Sequence, residues 1–167
     1  MREKAFTLVE LMIVVAILGI LAAIVIPQIQ GNTTLAKEST AKDTLRVWRS
    51  QIELYKMQHG GKAPGYKGPL GATVTELTYQ FSGTSDMNGF AVVSQTPTAP
   101  YLYGPYLRSM PVNPFNNLDN IIYVPSATAF TAAADGTSSG WLYKKETAEI
   151  KLNWTGTDSH GESYSDY

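Results

Sequence analysis

Hydrophobic residues follow two different patterns along this chain, and the pattern changes near Pro27. Between Phe6 and Ile26 there are 21 residues, of which Glu10 is the only charged one. About 20 apolar residues in a helix, rising ~1.5 Å per residue, cover a bilayer core roughly 30 Å thick. The pattern therefore predicts a membrane-spanning helix over residues 6–27, preceded by a short basic segment, residues 1–5.

A secretory signal peptide is the alternative interpretation of this segment. The apolar region of a signal peptide is usually about 7–15 residues long and ends at a small-residue cleavage site. Here the apolar run is longer, and Ala22 and Ala23 lie inside it, so we favour a retained helix. Arg2 and Lys4 precede the helix, and the positive-inside rule then places the N-terminus in the cytoplasm and the rest of the chain outside.

Glu10 is the unusual residue of this segment, because a carboxylate inside a membrane helix is unfavourable. Insertion scales put an acidic residue at the helix centre at roughly +2.5–3.5 kcal/mol, and ionisable groups within membranes usually have a partner. Glu10 lies about one turn into the helix, where its side chain can instead reach the headgroup region. The residues alone leave both interpretations open: an interfacial carboxylate, or one paired with a cation.

After Pro27 the pattern becomes that of an amphipathic helix, and we predict that residues 28–60 continue the first helix. Four apolar residues recur at spacings of three, four and three positions and share one face: Leu45, Trp48, Ile52 and Tyr55. Charged residues occupy the other faces. We expect the apolar face to pack on a small domain, and Gly60 and Gly61 to end the helix.

Residues 61–167 are turn-rich and typical of a small α+β head. A further helix is predicted at 73–81, with its apolar residues facing inward: Val74, Leu77 and Phe81. Residues 82–89 are predicted to form a loop. Alternating β-branched and aromatic residues predict three strands: 120–124, 140–145 and 148–153.

The predicted architecture is α+β, with a long N-terminal helix packed on a small antiparallel sheet. Only Glu146 and Thr147 separate the last two predicted strands, which predicts a tight hairpin. Trp141 and Tyr143 in this hairpin are the expected partners of the apolar helix face.

Composition narrows the class of function. The net charge is −1 with no long basic run, so nucleic-acid binding has little electrostatic support. The chain has no cysteine, which excludes a disulfide framework, a thiolate metal site and a cysteine nucleophile. No nucleophile-elbow, zinc-protease, P-loop or dinucleotide-binding motif occurs, and nothing makes His59 and His160 a pair. We therefore expect no enzyme activity.

The stretch KAFTLVELMIVVAILGILAAIVIPQ, Lys4 to Gln28, closely resembles the N-terminus of type IV pilins and of the pseudopilins of type II secretion systems. In that family a prepilin peptidase removes a short basic leader and methylates the new N-terminal amine. The resemblance implies cleavage between Ala5 and Phe6, and methylation of Phe6. The family usually has glycine where Ala5 stands, which implies slower cleavage here.

The resemblance also implies that Glu10 is an assembly residue. If helices pack in parallel and staggered, the Phe6 amine of one subunit can approach Glu10 of its neighbour, and each charge then reduces the desolvation penalty of the other. Gly19 and Pro27 match family positions as well. Proline at 27 cannot donate to the Ala23 carbonyl, which predicts a kink, and Gly19 allows close contact between helices.

Three later segments resemble major pseudopilins: SQIELYKMQHGGKAPG, GPYLRSMPVNPFNN and GWLYKKETAEI. The last has Ala148 where relatives often have glycine. The absence of cysteine removes the disulfide loop of many adhesive pilins and favours a pseudopilin.

Major pseudopilins bind calcium through a C-terminal loop, so the resemblance raises calcium as the one candidate cofactor. The acidic residues available for it are Asp158, Glu162 and Asp166. Calcium needs hard oxygen ligands, but the spacing of these residues is not diagnostic of a ligand set. We therefore favour a polar, loose and solvated tail over residues 155–167.

The function implied by the resemblance is that of a structural subunit, which polymerises into a periplasmic pseudopilus for type II protein secretion. The implied location is the bacterial inner membrane, with a single membrane pass, a cytoplasmic N-terminus and a periplasmic head. Implied partners are other copies of the chain, the prepilin peptidase, the inner-membrane assembly platform and minor pseudopilins. Two alternatives stay open: a major or minor pilin of a surface or DNA-uptake pilus, and an anchored binding domain that never polymerises.

Overall fold

The computed structural model describes residues 7–167, except for the side chains of residues 27–30. The predicted leader and the junction between Ala5 and Phe6 lie outside the described residues. The chain forms two compact units, Met1–Lys37 and Glu38–Tyr167.

Helix α1 runs from Leu8 to Gln58, which confirms that the helix continues past Pro27. Its described apolar side chains before Pro27 are all exposed. By length and composition, α1 is able to cross a membrane. The side chain of Pro27 is outside the described set, and the kink there stays a prediction.

The C-terminal end of α1 is closed by two glycines, as predicted. Gly60 and Gly61 have φ of +64° and +85°, which glycine adopts without steric penalty. The N–H of Gly61 donates to the carbonyl of Lys56 at 2.8 Å, so a helix carbonyl that would otherwise lack a partner is satisfied.

The core of the second unit is built on the predicted apolar face of α1. The four residues of that face are all buried: Leu45, Trp48, Ile52 and Tyr55. The ring of Trp48 lies edge-on to Phe81, with centroids 4.7 Å apart, and 6.1 Å from Trp141. Tyr143 belongs to the same core, which confirms the expected packing of this face on the hairpin.

A three-stranded sheet covers α1, in the order β5 (Ile121–Tyr123), β6 (Trp141–Lys144) and β7 (Glu149–Leu152). The three predicted strands are confirmed. β6 and β7 are antiparallel, whereas β5 runs parallel to β6. A parallel pair needs a crossover connection, and helix α3 (Phe130–Ala133) lies within it.

The two faces of β6 pack on different clusters because successive side chains of a strand alternate. Trp141 and Tyr143 belong to the core on α1, whereas Leu142 packs with Val124 and Phe130 of the crossover. The sheet is therefore covered on both faces.

The hairpin between β6 and β7 is longer than the predicted two-residue turn. Lys144 pairs with Glu149, which leaves a loop of residues 145–148. Ala148 in this loop has φ +59°, a left-handed conformation that favours glycine. Glycine, which the resemblance implies at this position, would adopt this conformation without steric penalty.

The remaining elements are short. Two small antiparallel pairs and a 3₁₀ helix complete the fold: β1 (Tyr66–Lys67) with β2 (Leu70–Gly71), β3 (Thr84–Ser85) with β4 (Ala91–Val92), and Tyr164–Asp166. The segment predicted to be a loop, 82–89, thus contains β3.

Helix α2 (Val74–Ser82) confirms the predicted helix at 73–81. Leu77 and Phe81 are buried as expected, but Val74 is 38% exposed, so its predicted inward orientation is wrong. Val74 is the first residue of α2, directly after the cap, and the buried side of the helix begins one turn later.

The prediction of a loose tail is wrong. Tyr164 and Tyr167 are buried in the core with α1, and Ser165 is buried too. Aromatic residues in an otherwise polar segment supply the apolar surface that anchors it.

Candidate functional site

Glu10 forms a reciprocal cap at the start of α1 together with Thr7. The Thr7 N–H and hydroxyl donate to the Glu10 carboxylate Oε2 at 3.0 Å and 2.9 Å. The Glu10 N–H donates to Thr7 Oγ1 at 3.2 Å. This is a capping box, in which the side chains at the N-cap and three residues later satisfy each other's backbone donors.

The role of Thr7 as the cap partner of Glu10 was not predicted from the sequence. The spacing Thr-x-x-Glu directly before an apolar helical run was the available signal. The cap gives Glu10 a role inside its own chain, because a carboxylate in the first turn stabilises the positive end of the helix dipole.

Only one oxygen of Glu10 takes part in this cap. Oε2 accepts both bonds from Thr7, and Oε1 has no hydrogen-bond partner among residues 7–167.

Gly19 lies within α1 in open surroundings. A Cβ built at Gly19 would meet no atom of the described residues within 4 Å. Nothing in the described part of the chain therefore requires glycine there, and the expected role in contacts between helices stays a prediction. Ala5 and Phe6 lie outside the described residues, and so does the side chain of Pro27.

The structure brings Asp158 and Glu162 together at Lys42 of α1. The Lys42 ammonium lies 3.1 Å from Asp158 Oδ2 and 3.6 Å from Glu162 Oε2. Asp166 lies in the 3₁₀ helix instead, where its main-chain carbonyl accepts from Lys151. No group of three or more acidic or histidine side chains suited to a metal occurs within the described residues.

The charge of Asp158 is stabilised by hydrogen bonds in spite of its burial. Burial raises the pKa of this carboxyl, but bonds from the Tyr167 hydroxyl, the N–H groups of Glu162 and His160, and Lys42 together hold it well below its usual value. The hydrogen bond from the Lys42 ammonium to Asp158 in turn raises the pKa of Lys42. Both groups are therefore charged at neutral pH.

Glu38, one turn before Lys42 on α1, holds the same C-terminal segment. Its carboxylate accepts bonds from the Ser159 hydroxyl at 3.1 Å and from the Tyr164 hydroxyl at 2.9 Å. Burial, and then the bond to Glu38, raises the pKa of Tyr164 to about 12. Glu38 and Lys42, on successive turns of α1, thus bind the C-terminal segment to the helix.

These features define a pilin-like protein: a helix apolar enough for a membrane, capped at its start, whose later half packs on a small sheet. Residues 1–26 match the family described as the prokaryotic N-terminal methylation motif.

Curated relatives extend the similarity into the head. The chain is 31% identical over 116 residues to the type II secretion system core protein G of Dickeya chrysanthemi, covering 68% of this chain and 64% of that protein. It is 29% identical over 147 residues to the protein of the same name from Vibrio cholerae, covering 83% and 86%.

A fimbrial protein of Neisseria meningitidis is 36% identical over 94 residues, covering 56% of this chain and 55% of that protein. No solved structure matches the chain significantly. The chain is thus similar to type II secretion core proteins G and to a fimbrial protein, and it spans 64% of the Dickeya protein's length.

Proposed function

We propose that this chain is a structural subunit, similar to a major pseudopilin, that polymerises into a periplasmic pseudopilus for type II protein secretion. The observation that carries the proposal is the capping box, which uses Oε2 of Glu10, whereas Oε1 has no hydrogen-bond partner among residues 7–167. The proposed organisation is a leader, residues 1–5, an assembly helix, 6–27, its amphipathic continuation, 28–60, and a head, 61–167.

The proposed partner of Glu10 is the amine of Phe6 in a neighbouring copy, after leader removal and methylation. A staggered array of parallel helices brings these groups to similar depth. Breaking one half of a buried ion pair leaves the other charge uncompensated, typically at about 3–5 kcal/mol. The pair would therefore set the register of the filament.

The proposed setting is the bacterial inner membrane, with the N-terminus in the cytoplasm and the head in the periplasm. Arg2 and Lys4 support this orientation by the positive-inside rule. The proposed partners are the prepilin peptidase, the inner-membrane assembly platform and minor pseudopilins, because relatives carry the name of a type II secretion core protein. We assign the chain no catalytic role and no binding of nucleic acid.

A second candidate is a pilin of a surface or DNA-uptake pilus. The observation that favours it is the identity of 36% with a meningococcal fimbrial protein. A neighbouring gene for an outer-membrane secretin, together with secreted enzymes that depend on it, would favour the secretion role.

The test compares wild type with Glu10→Val and Glu10→Gln, each expressed with the assembly machinery. Sheared or crosslinked filaments are measured against monomer in the membrane fraction, and intact mass gives the N-terminus. Gln keeps an acceptor for Thr7 but carries no charge, so both variants should lose filaments while insertion persists. The mature chain should begin at a methylated Phe6 in all three.

Glu53→Val is the matched control, because Glu53 is an exposed acid of α1 paired with Lys56 at 2.8 Å. Its filament yield should equal that of wild type. Wild-type filament yield from both Glu10 variants would refute the pairing with Phe6, and an intact leader in native membranes would refute the processing.

A further inference from the structure

The C-terminal loop, residues 157–163, is closed around the carboxylate of Asp158. Oδ1 accepts the N–H groups of His160 and Glu162 at 2.8 Å and 2.9 Å. Oδ2 accepts the Tyr167 hydroxyl at 2.7 Å and the Lys42 ammonium at 3.1 Å. Each oxygen thus has two donors, and a carboxylate oxygen offers about two lone pairs.

The Lys42 ammonium contacts three groups that attract a cation: two carboxylates and one aromatic ring face. Besides Asp158, it lies 3.6 Å from Glu162 and 4.0 Å from the centre of the Tyr167 ring. A ring face attracts a cation through its quadrupole. The side chain of Asp158 is fully buried, whereas that of Lys42 is 37% exposed.

These residues do not fit calcium, the cation implied by the family. Calcium takes six to eight oxygen ligands, whereas Asp158 already accepts four N–H or O–H donors. Lys42 would stand close to any metal between Asp158 and Glu162 and repel it.

We propose that the Lys42 ammonium is the resident cation of the C-terminal loop, which is therefore held on α1 by a side chain and needs no metal. This inference is independent of filament assembly. Its physical basis is that removing Lys42 takes the ammonium away from the buried Asp158 carboxylate. The Glu38 carboxylate, which binds Ser159 and Tyr164, adds a second negative charge to the same segment.

The experiment uses the full chain in detergent micelles, with melting followed by tryptophan fluorescence and hydrogen exchange measured on peptides covering residues 157–167. Wild type is compared in millimolar CaCl₂ and in EDTA, and calcium is titrated into it by calorimetry. The variant is Lys42→Met, which keeps the length and apolar stem of the side chain. Lys56→Met is the matched control, since Lys56 pairs with the exposed Glu53 on the same helix.

For wild type we expect no heat of calcium binding in the calorimetric titration, and the same Tm in CaCl₂ and in EDTA. We expect Lys42→Met to lower Tm by several degrees relative to Lys56→Met, with faster exchange confined to the C-terminal segment. Stabilisation of wild type by calcium, or its destabilisation by EDTA, would overturn the proposal. So would a Lys42→Met variant that melts and exchanges like the control. The calcium titration of wild type decides the point even if Lys42→Met fails to fold.

Discussion

The chain contains two Thr-x-x-Glu capping boxes of nearly the same geometry, one at the start of α1 and one at the start of α2. In the second box the Thr73 N–H donates to Glu76 Oε2 at 2.7 Å, and the Glu76 N–H donates to Thr73 Oγ1 at 3.2 Å. In the first box the corresponding distances from Thr7 and Glu10 are 3.0 Å and 3.2 Å. The same local motif therefore forms at the start of the apolar N-terminal helix and at the start of α2.

The two boxes differ in what the second carboxylate oxygen does. Oε1 of Glu76 binds the Lys67 ammonium at 2.5 Å, whereas Oε1 of Glu10 has no partner among residues 7–167. Asp158 resembles Glu76, because its cation, Lys42, also belongs to the same chain. Glu76 and Asp158 are thus each paired with a lysine of the same chain, and the partner proposed for Glu10 is the Phe6 amine of a second copy.

The largest effect is expected from Trp48→Ala. Trp48 is fully buried between Phe81 and Trp141, and truncating such a residue costs about 3–5 kcal/mol in cavity and lost burial. The free energy of unfolding of the head, measured by urea denaturation with circular dichroism, should fall by that amount. Membrane insertion should not change, because the first box and the apolar segment are untouched.

Val47→Ala is the control for this variant, since Val47 is the neighbouring residue of α1 and is 50% exposed. It should cost well under about 1 kcal/mol. Equal losses from the two variants would show that the apolar face does not carry the core.

The core of the second compact unit was predictable from sequence, because Trp48, Ile52 and Tyr55 recur at a helical period. In strands β6 and β7, inward and outward side chains alternate. Periodicity reports burial directly. The parallel pairing of β5 with β6 was not predictable in this way, since a strand's pattern carries no information on the direction of its neighbour. The hairpin is longer than predicted because Lys145 and Ala148 adjoin strand residues and neither is a typical turn residue. Only the backbone geometry shows that Ala148 adopts a left-handed conformation.

The C-terminal loop shows a different limit. The acids of this region were found in the sequence, but their cation, Lys42, lies 116 residues away from Asp158. No local spacing signals such a contact. From sequence alone, polar residues are expected to be solvated unless a distant partner is known. The bonds of Glu38 to Ser159 and Tyr164 were not predicted for the same reason. The capping box at Thr7 was local and was available to sequence reasoning.

An intermediate effect is expected from Glu76→Ala, compared with Glu10→Ala. Loss of a cap typically costs about 0.5–2 kcal/mol, and the partly exposed pair with Lys67 adds at most about 1 kcal/mol. Glu76→Ala should therefore lower the unfolding free energy of the head by about 1–2 kcal/mol and leave filament yield unchanged. Glu10→Ala should lower filament yield and leave the unfolding free energy of the head unchanged.

Both variants are measured by head melting and by filament yield from the same cells. The contrast between the boxes fails if Glu76→Ala abolishes filaments while its head stays folded. It also fails if Glu10→Ala destabilises the head as much as Glu76→Ala does.

The smallest effect is a dependence of head stability on pH, and it arises from His59 at the end of α1. This ring is buried and stacks on Tyr55 with centroids 3.7 Å apart. Its Nδ1 lies 2.8 Å from the Tyr55 carbonyl and must carry the proton, so that Nε2 accepts from the Ser85 hydroxyl at 3.1 Å in the neutral ring. Burial lowers the pKa of His59 below 6.5, against the bond to Tyr55, which raises it.

The direction of the pH effect follows from linkage. As the pH falls through about 6.5, the unfolded chain takes up a proton at His59 that the folded chain resists, so stability decreases. The bond from Lys67 and the cap at Thr73 lower the pKa of Glu76 below 4.5, so this acid loses its contribution only at more acidic pH. Between pH 6.5 and 5 the slope should thus disappear in His59→Phe and persist in the exposed control His160→Gln, as measured by Tm at constant ionic strength. A slope of the same size in His59→Phe would assign the titration to another group.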